Sequence, residues 1–290
     1  EMCIRDSVYI VGAVIRGRLS CSSAEPQETL DGDLAFRVFQ LIQVMDMGFH
    51  GTRYGAESRQ RLDLAVLNFF GNFRKVYVGE QAMHSSKVYV QLSERMGLHD
   101  HLMVMNLTVT KITMNLKSFA QCSKVVEASL NLLQDLAVGF MSGKLLLRLD
   151  AIKGTLLAHT PDHFPFLAQY VNTRNRTIFY ATLGRLLFMD DSAEKFHAFM
   201  APFGDLCDRL AATDAHTFRT HEVKHTLIGL FRDLRGIASS ANSRRTYGLL
   251  FDWMYPRHTG LLLRAMQNFA DDPQVSTPLL KFVAEFVLNK

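Results

Sequence analysis

The clearest catalytic spelling in the sequence is HExxH, at residues 221–225. On a helix this spacing would place His221 and His225 one turn apart on one face, with Glu222 between them as a general base, as in zinc hydrolases. Such a site needs a third protein ligand. The histidine expected six residues after His225 is replaced by Phe231, and the helical segment that follows contains no glutamate. We therefore predict a polar first turn of a helix, exposed ahead of an apolar run.

Other residue patterns give no support for catalysis, a metal or a cofactor. The sequence lacks a GxSxG nucleophile elbow, a P-loop and a dinucleotide-binding GxGxxG motif. The histidines at 99–101, and His159 with His163, have no further ligand at metal spacing, and we expect them on the surface or in loops. The four cysteines are widely separated and form no CxxC pair, which favours a reducing compartment over a disulfide framework. We expect a protein that is not an enzyme and needs no cofactor.

Candidate binding residues come from the densest basic cluster, Arg232, Arg235, Arg244 and Arg245, with Asp233 inside it. At helical spacing, Arg232 and Arg235 point to the same side, and an exposed pair of this kind can grip carboxylates or phosphates. We name these five residues as candidate partner contacts on a hairpin helix and the turn after it. The structural alternative is a solvated face, or internal ion pairs with Asp233 or Asp252 across the hairpin.

Composition excludes several classes of protein. Of 290 residues, 48% are hydrophobic and 21% are charged, so the chain can bury a large core and is not disordered. The formal charge of +4 comes from 32 basic and 28 acidic residues spread along the chain, which gives no concentrated field for a polyanion. Aromatic and basic residues do not alternate in the way that single-strand binders require, so nucleic acid is not an expected partner. The longest apolar run, residues 8–15, is too short to span a bilayer.

From residue 29 onward the apolar period is helical almost everywhere, and no stretch shows a sustained strand alternation. The chain is predicted to be all-α, with a break at residues 159–165. The predicted helices cover residues 56–78, 83–96, 100–119, 123–140, 145–158, 174–190, 193–212, 217–240, 244–269 with a bend near Pro256, and 278–290.

Several predicted helices are apolar over more than half of their circumference, as expected when each packs against its hairpin mate and both neighbouring hairpins. An Asp-Leu pair at residues 135–136 recurs at 233–234, a distance of about two repeats of HEAT length. We therefore predict an α-solenoid of HEAT/ARM-like antiparallel hairpins, with a large irregular helical domain as the alternative. We expect one such segment over residues 26–290, preceded by a poorly patterned leader at 1–25 that could be foreign to the native protein. The apolar pattern is still in progress at Lys290, so we expect a longer protein.

Particular strings resemble a known family. Residues 224–238 and 249–256 are similar to the middle part of the exportin-7 subfamily (Ran-binding proteins 16 and 17) of the importin-β, or karyopherin-β, nuclear transport receptors. Further similar strings follow the same order, at residues 30–38, 69–79, 85–94 and 179–187. The resemblance covers roughly residues 29–290.

The resemblance implies a right-handed superhelix of helix pairs, within a receptor that binds Ran-GTP and carries protein cargo past nucleoporins. It implies shuttling between nucleus and cytoplasm, no catalysis, no cofactor and no membrane insertion. The family's main Ran-binding surface lies near its N-terminus, so Ran contacts are expected mostly outside this segment. Two alternatives remain: a HEAT-repeat scaffold without transport activity, and a zinc peptidase at residues 221–225.

Overall fold

The computed structural model describes residues 2–18, 25–48, 55–78, 87–190 and 192–288. These residues form α-helices, three short 3-10 helices and no strand, which confirms the all-α prediction for the described ranges. The α-helices are α1 (Met2–Gly17), α2 (Glu25–Asp46), α3 (Ala56–Tyr77), α4 (Lys87–Met96), α5 (His101–Ser118), α6 (Ser123–Val138), α7 (Phe140–Leu146), α8 (Asp150–Leu157), α9 (Asn175–Met189), α10 (Ala193–Ala212), α11 (His221–Ser240), α12 (Arg244–Met254), α13 (Thr259–Phe269) and α14 (Pro273–Val287).

The chain divides into two compact units. Unit 1 comprises Glu1–Leu132 and Gly139–Ala151, and unit 2 comprises Leu133–Val138 and Ile152–Lys290. Each unit has its own apolar core, and the single continuous segment over residues 26–290 stays a prediction. None of the helices in the described ranges is long and apolar enough to cross a membrane.

In unit 1 the closest helix contacts join helices that are two apart in the chain. Helix α1 packs on α3, and α2 packs on α4. At the second interface a Cβ on Gly32 would lie 3.3 Å from the Cα of Val88 and 2.9 Å from the Cβ of Gln91. The glycine therefore lets the two backbones approach closely. Stacking of alternate helices is what a repeat array requires, because each repeat buries its apolar face only against its neighbours.

Helix α1 differs from the expected poorly patterned leader. Over residues 2–17 the chain is helical, and Val8 and Ile15 are fully buried against the unit 1 core. The sequence pattern is blurred because apolar residues also lie on the outer face, where Ile10 is 62% exposed. Residues 1 and 19–24 lie outside the described residues. Most of the leader range thus packs as a regular helix of unit 1.

The unit 1 core combines aromatic packing with a buried ionic cluster. The Phe39 ring lies edge-on to Phe69 at 5.5 Å between centroids and is similarly close to two further phenylalanines of α3. Lys111 on α5 is buried, and its Nζ lies 2.7 Å from Oδ1 of Asp63 and 3.4 Å from Oδ1 of Asp46. Because a buried charge is costly without a partner, this cluster fixes how α2, α3 and α5 meet.

Unit 2 repeats the stacking of alternate helices. Helix α9 packs on α11, α11 packs on α14, and α10 contacts α13. Helices α12 and α13 are separated at residues 255–258, so they occupy the place of one bent helix, as the predicted bend near Pro256 requires. The α-solenoid arrangement of hairpins is therefore visible inside each unit.

Two helix starts show how local chemistry sets the boundaries. Asp100 caps α5 as predicted, since its carboxylate accepts from the backbone N–H of Met103 at 2.8 Å. Helix α14 begins at Pro273 instead of the predicted Pro278. Asp272 caps it, and a proline at the first helical position has no N–H that needs an intrahelical partner.

His159 lies in the loop after α8, as expected, but it is not on the surface. Its side chain is buried, Nε2 lies 3.0 Å from the carbonyl oxygen of Phe199, and the two rings stack at 4.0 Å. Burial lowers the pKa of His159 to about 4, so the imidazole is neutral at pH 7. Cys122 and Cys207 are free thiols, and the side chains of Cys3 and Cys21 lie outside the described part of the chain.

Candidate partner-contact surface

Helix α11 begins at His221, so the HExxH string occupies its first turn and a half, as predicted. The Thr220 hydroxyl accepts from the backbone N–H of Val223 and caps the helix. His221 and Glu222 are exposed, and His225 faces the ring of Tyr170 at 5.8 Å. An open hollow of about 520 Å³ lies here, lined by Ala168, Tyr170, His221, Glu222, His225 and Thr226.

The first turn of α11 lacks the ligands that a zinc peptidase needs. In the described part of the chain, no group of three histidine, cysteine or carboxylate side chains could hold a metal ion. Burial lowers the pKa of His225, with the charges of Arg176 and His221 adding to the effect. The hollow therefore offers a neutral imidazole and an exposed carboxylate, and no metal triad.

Asp233 is a core residue of unit 2, which corrects its assignment as a partner contact. Its carboxylate is 1% exposed and accepts two hydrogen bonds from the guanidinium of Arg176, including one from Nε at 2.8 Å. Arg176 also donates to the carbonyl oxygen of Leu167. Burial raises the pKa of Asp233 to about 6, and the Arg176 charge opposes that rise. The carboxylate is therefore fully engaged inside the protein and is closed to any outside partner.

The backbones of α9 and α11 approach closely, which explains the small residues that follow Asp233 in the sequence. A Cβ on Gly236 would lie 2.6 Å from the carbonyl oxygen of Thr177 and 2.8 Å from the backbone nitrogen of Ala181. The Ser240 hydroxyl donates to the carbonyl oxygen of Ala181 at 2.7 Å. Contacts advance in the same direction along both helices, so α9 and α11 are parallel. The string from Asp233 to Ser240 thus specifies this interface.

Arg232 and Arg235 remain on the outside of the same helix. Both side chains are half-buried, and in the described ranges neither forms an ion pair. The Arg232 Nε–H is buried without a hydrogen-bond partner there. Burial lowers the pKa of Arg232, and the nearby positive charges of Arg174 and Arg235 lower it further. Asp233 thus pairs with Arg176, and not with Arg232 or Arg235 as in the structural alternative.

Arg244 and Arg245 lie on a different helix from Arg232 and Arg235. They occupy the exposed first turn of α12, after a capping box in which Ser243 and Thr246 bond reciprocally. Their exposure suits partner contact, so they stay predicted contacts.

Sequence reasoning missed the residues of α9 and of the segment before it that complete this surface. Arg174 is exposed just ahead of α9, and Tyr170 is 67% exposed in the preceding 3-10 turn. Only the packing of α9 on α11 brings them beside Arg232, across more than fifty residues of chain. The alternation of Arg174 and Arg176 around Asn175 is a weak signal that one arginine faces out and the other faces in.

The fold and this surface define a helical-repeat protein with an exposed cationic face. Residues 3–175 match the family model described as Exportin-7-like, TPR domain. The match covers more than half of the chain, so the protein belongs to the Exportin-7-like family. TPR repeats, like HEAT repeats, are helix hairpins that stack into an α-solenoid. The match therefore confirms the predicted α-solenoid class and the resemblance to the exportin-7 subfamily.

Individual relatives extend the similarity to almost the whole chain. Exportin-7-B of Xenopus laevis is 40% identical over 291 residues, which cover 98% of this chain and 26% of the relative. Ran-binding protein 17 of Mus musculus is 41% identical over 290 residues, again 98% of this chain and 26% of the relative. Exportin-7 of Dictyostelium discoideum is 39% identical over 293 residues, which cover 98% of this chain and 29% of the relative. This chain thus spans between a quarter and a third of the length of these relatives, and no solved structure gave a significant match.

Proposed function

We propose that this chain is a segment of a nuclear transport receptor that binds protein cargo and Ran-GTP and carries cargo through the nuclear pore. The observation that carries the proposal is membership of the Exportin-7-like family. The relatives are named exportins and Ran-binding proteins. Shuttling between nucleus and cytoplasm, contact with nucleoporins and the absence of enzymatic activity belong to the same proposal.

The physics of stacked hairpins supports this role. A stacked array couples each hairpin mainly to its neighbours, so it changes curvature at a small local cost and presents long helix faces to partners. Cargo and a GTPase that both prefer one curvature then bind cooperatively. A coupling free energy of about 1–3 kcal/mol would change affinity by about five- to 150-fold.

Within this segment we assign partner contact to Arg232, Arg235, Arg244 and Arg245. All four have solvent-accessible side chains, whereas the buried Asp233 serves the α9–α11 interface. Direct Ran contacts are assigned mainly to regions of the relatives' length that this chain does not cover. This segment itself contributes a positively charged surface that binds protein partners.

A scaffold without transport activity is the second candidate, because stacked helix faces suit any protein ligand. The two functions differ in their dependence on nucleotide. We would express the longest reading frame that contains this chain and capture bound protein with Ran loaded with GTP or with GDP. The transport proposal expects Ran-GTP to bind and to change cargo capture severalfold, with no effect of Ran-GDP. Equal cargo capture with either form, and no retained Ran, would overturn it in favour of the scaffold.

A further inference from the structure

We propose that Arg174, Arg232 and Arg235 form a docking face for an acidic peptide segment of a protein partner. We call these three residues the arginine face. The proposal rests on the proposed function, since it assigns a chemistry to two of its contact residues and adds Arg174. It commits to a short run of aspartate or glutamate side chains as the occupant.

Some basic residues of unit 2 have a structural role, whereas others form no ion pair with a described residue. The structural ones hold a carboxylate: Arg176 pairs with Asp233, Lys224 Nζ lies 2.6 Å from Oδ2 of Asp272, and Arg257 Nη2 lies 2.5 Å from Oδ2 of Asp208. The arginine face differs, because none of its side chains forms an ion pair with any residue that the structure describes. The face therefore keeps its charge available for an external carboxylate.

The fold brings these three like charges together. Arg232 and Arg235 are separated by one helical turn on α11, and Arg174 stands at the start of α9. Helix α9 is fixed against α11 by the Arg176–Asp233 pair, only two residues from Arg174. Like charges at this proximity repel, and Asp233 offsets this repulsion only in part, because Arg176 already holds both of its oxygens. Carboxylates from outside would relieve this repulsion.

The surroundings favour a peptide over a nucleic acid. Arg232 is half-buried with an unpartnered Nε–H, and a charge pair at a partly desolvated guanidinium is stronger than one in open water. The exposed ring of Tyr170 lies beside the face and offers an amphipathic surface to a peptide chain. A single aromatic side chain cannot stack successive bases as a nucleic-acid site does. Three guanidinium groups match a short acidic run.

The test measures binding of a fluorescent octaglutamate peptide to the chain by anisotropy, with an octaglutamine peptide as the uncharged probe. Arg232→Glu/Arg235→Glu reverses two charges of the face. Arg209→Glu/Lys281→Glu makes the same charge change at exposed positions of α10 and α14. We expect salt-dependent binding of octaglutamate only, weakened at least about tenfold by the first pair and less than about twofold by the control pair.

Several results would overturn the arginine face. These are no octaglutamate binding by the unchanged chain, equal losses in both variants, and a thymidine octanucleotide that binds more tightly than octaglutamate at the same residues. Arg232→Gln/Arg235→Gln, checked by circular dichroism, tests the face again if the reversed variant does not fold. Peptide binding that survives this neutral pair would likewise overturn it. Failure here leaves Ran-GTP-dependent capture untouched, and the loss of that capture with intact peptide binding would overturn only the transport role.

Discussion

The Arg176 guanidinium holds both carboxylate oxygens of Asp233, joining two helices across 57 residues of chain. This one pair explains three features of unit 2: why Asp233 is buried, why Arg232 and Arg235 lack an internal partner, and why α9 and α11 keep a fixed axial register. A buried carboxylate is tolerated only because its partner is in place.

Removal of the guanidinium should therefore be costly. We expect Arg176→Met to lower the free energy of unfolding by about 3–5 kcal/mol, since it leaves a buried unpaired carboxylate. Arg209→Met, at an exposed position, is the control and should change it by less than about 0.5 kcal/mol. Urea denaturation of both variants measures the difference, and equal stabilities would contradict the assigned role of the pair.

The stability of the same variant should also become more sensitive to pH than that of the unchanged chain. Burial already raises the pKa of Asp233 to about 6, and loss of the Arg176 charge should raise it further. A carboxyl group whose folded pKa lies above its unfolded value loses stability as pH rises through that range. Relative to the unchanged chain, Arg176→Met should thus lose more free energy of unfolding at pH 8 than at pH 5. Replacing Asp233 with Asn in addition should remove this extra dependence of stability on pH. A pH-independent deficit would contradict this account.

Gly236 should tolerate no side chain. A Cβ there would overlap the carbonyl oxygen of Thr177, so we expect Gly236→Ala to destabilise the chain by about 1–3 kcal/mol or more. Gly248, inside α12, has no atom within 4 Å of its Cβ position and is the matched control. Gly248→Ala should be neutral or stabilise by up to about 1 kcal/mol, because alanine is the better helix former. Thermal unfolding separates the two, and a shift in the same direction for both would count against close α9–α11 packing.

His159 should make unit 2 sensitive to acid. Its pKa is about 4 in the folded chain against an ordinary 6.5, so the unfolded chain binds more protons between these values. Stability should then fall as pH is lowered from 6.5 to 4, by about 3 kcal/mol at most, and level off below. His159→Gln should flatten this slope, whereas His216→Gln, at an exposed position, should not. Melting temperatures from pH 4 to 7 would check this, and identical slopes for all three proteins would refute it.

Elemental analysis should find far less than one zinc ion per purified chain. The described residues provide no triad of metal ligands around His221 and His225. His221→Ala should accordingly change neither metal content nor stability beyond about 0.5 kcal/mol. Stoichiometric zinc that disappears with His221→Ala would restore the peptidase alternative.

Helical period predicted most of the fold because amphipathic helices carry their own signal. The boundaries of α10 match the prediction residue for residue, and the first turn of α11 was recognised as a polar helix start. Helix α1 is not predicted from the sequence, because its outer face is also apolar and blurs the helical pattern. Helix α14 starts earlier than expected, because proline is tolerated in the first turn of a helix.

The contact surface was less predictable. Sequence spacing shows which residues of one helix share a face, but not which residue of another helix will lie opposite. Asp233 therefore looked available, although Arg176 lies against it. Arg174 carried only a weak local sign of its role, because its proximity to Arg232 exists only in the folded chain.

The parallel packing of α9 on α11 also governs which length changes the sequence can accept. Extra residues in the connection at 213–216 would lengthen a turn and leave the matched positions of both helices in place. One residue inserted between Gly229 and Asp233 would rotate everything after it by about 100° and point the carboxylate away from Arg176. Insertions between related chains should therefore collect at the ends of hairpins, and the helices themselves should keep their length.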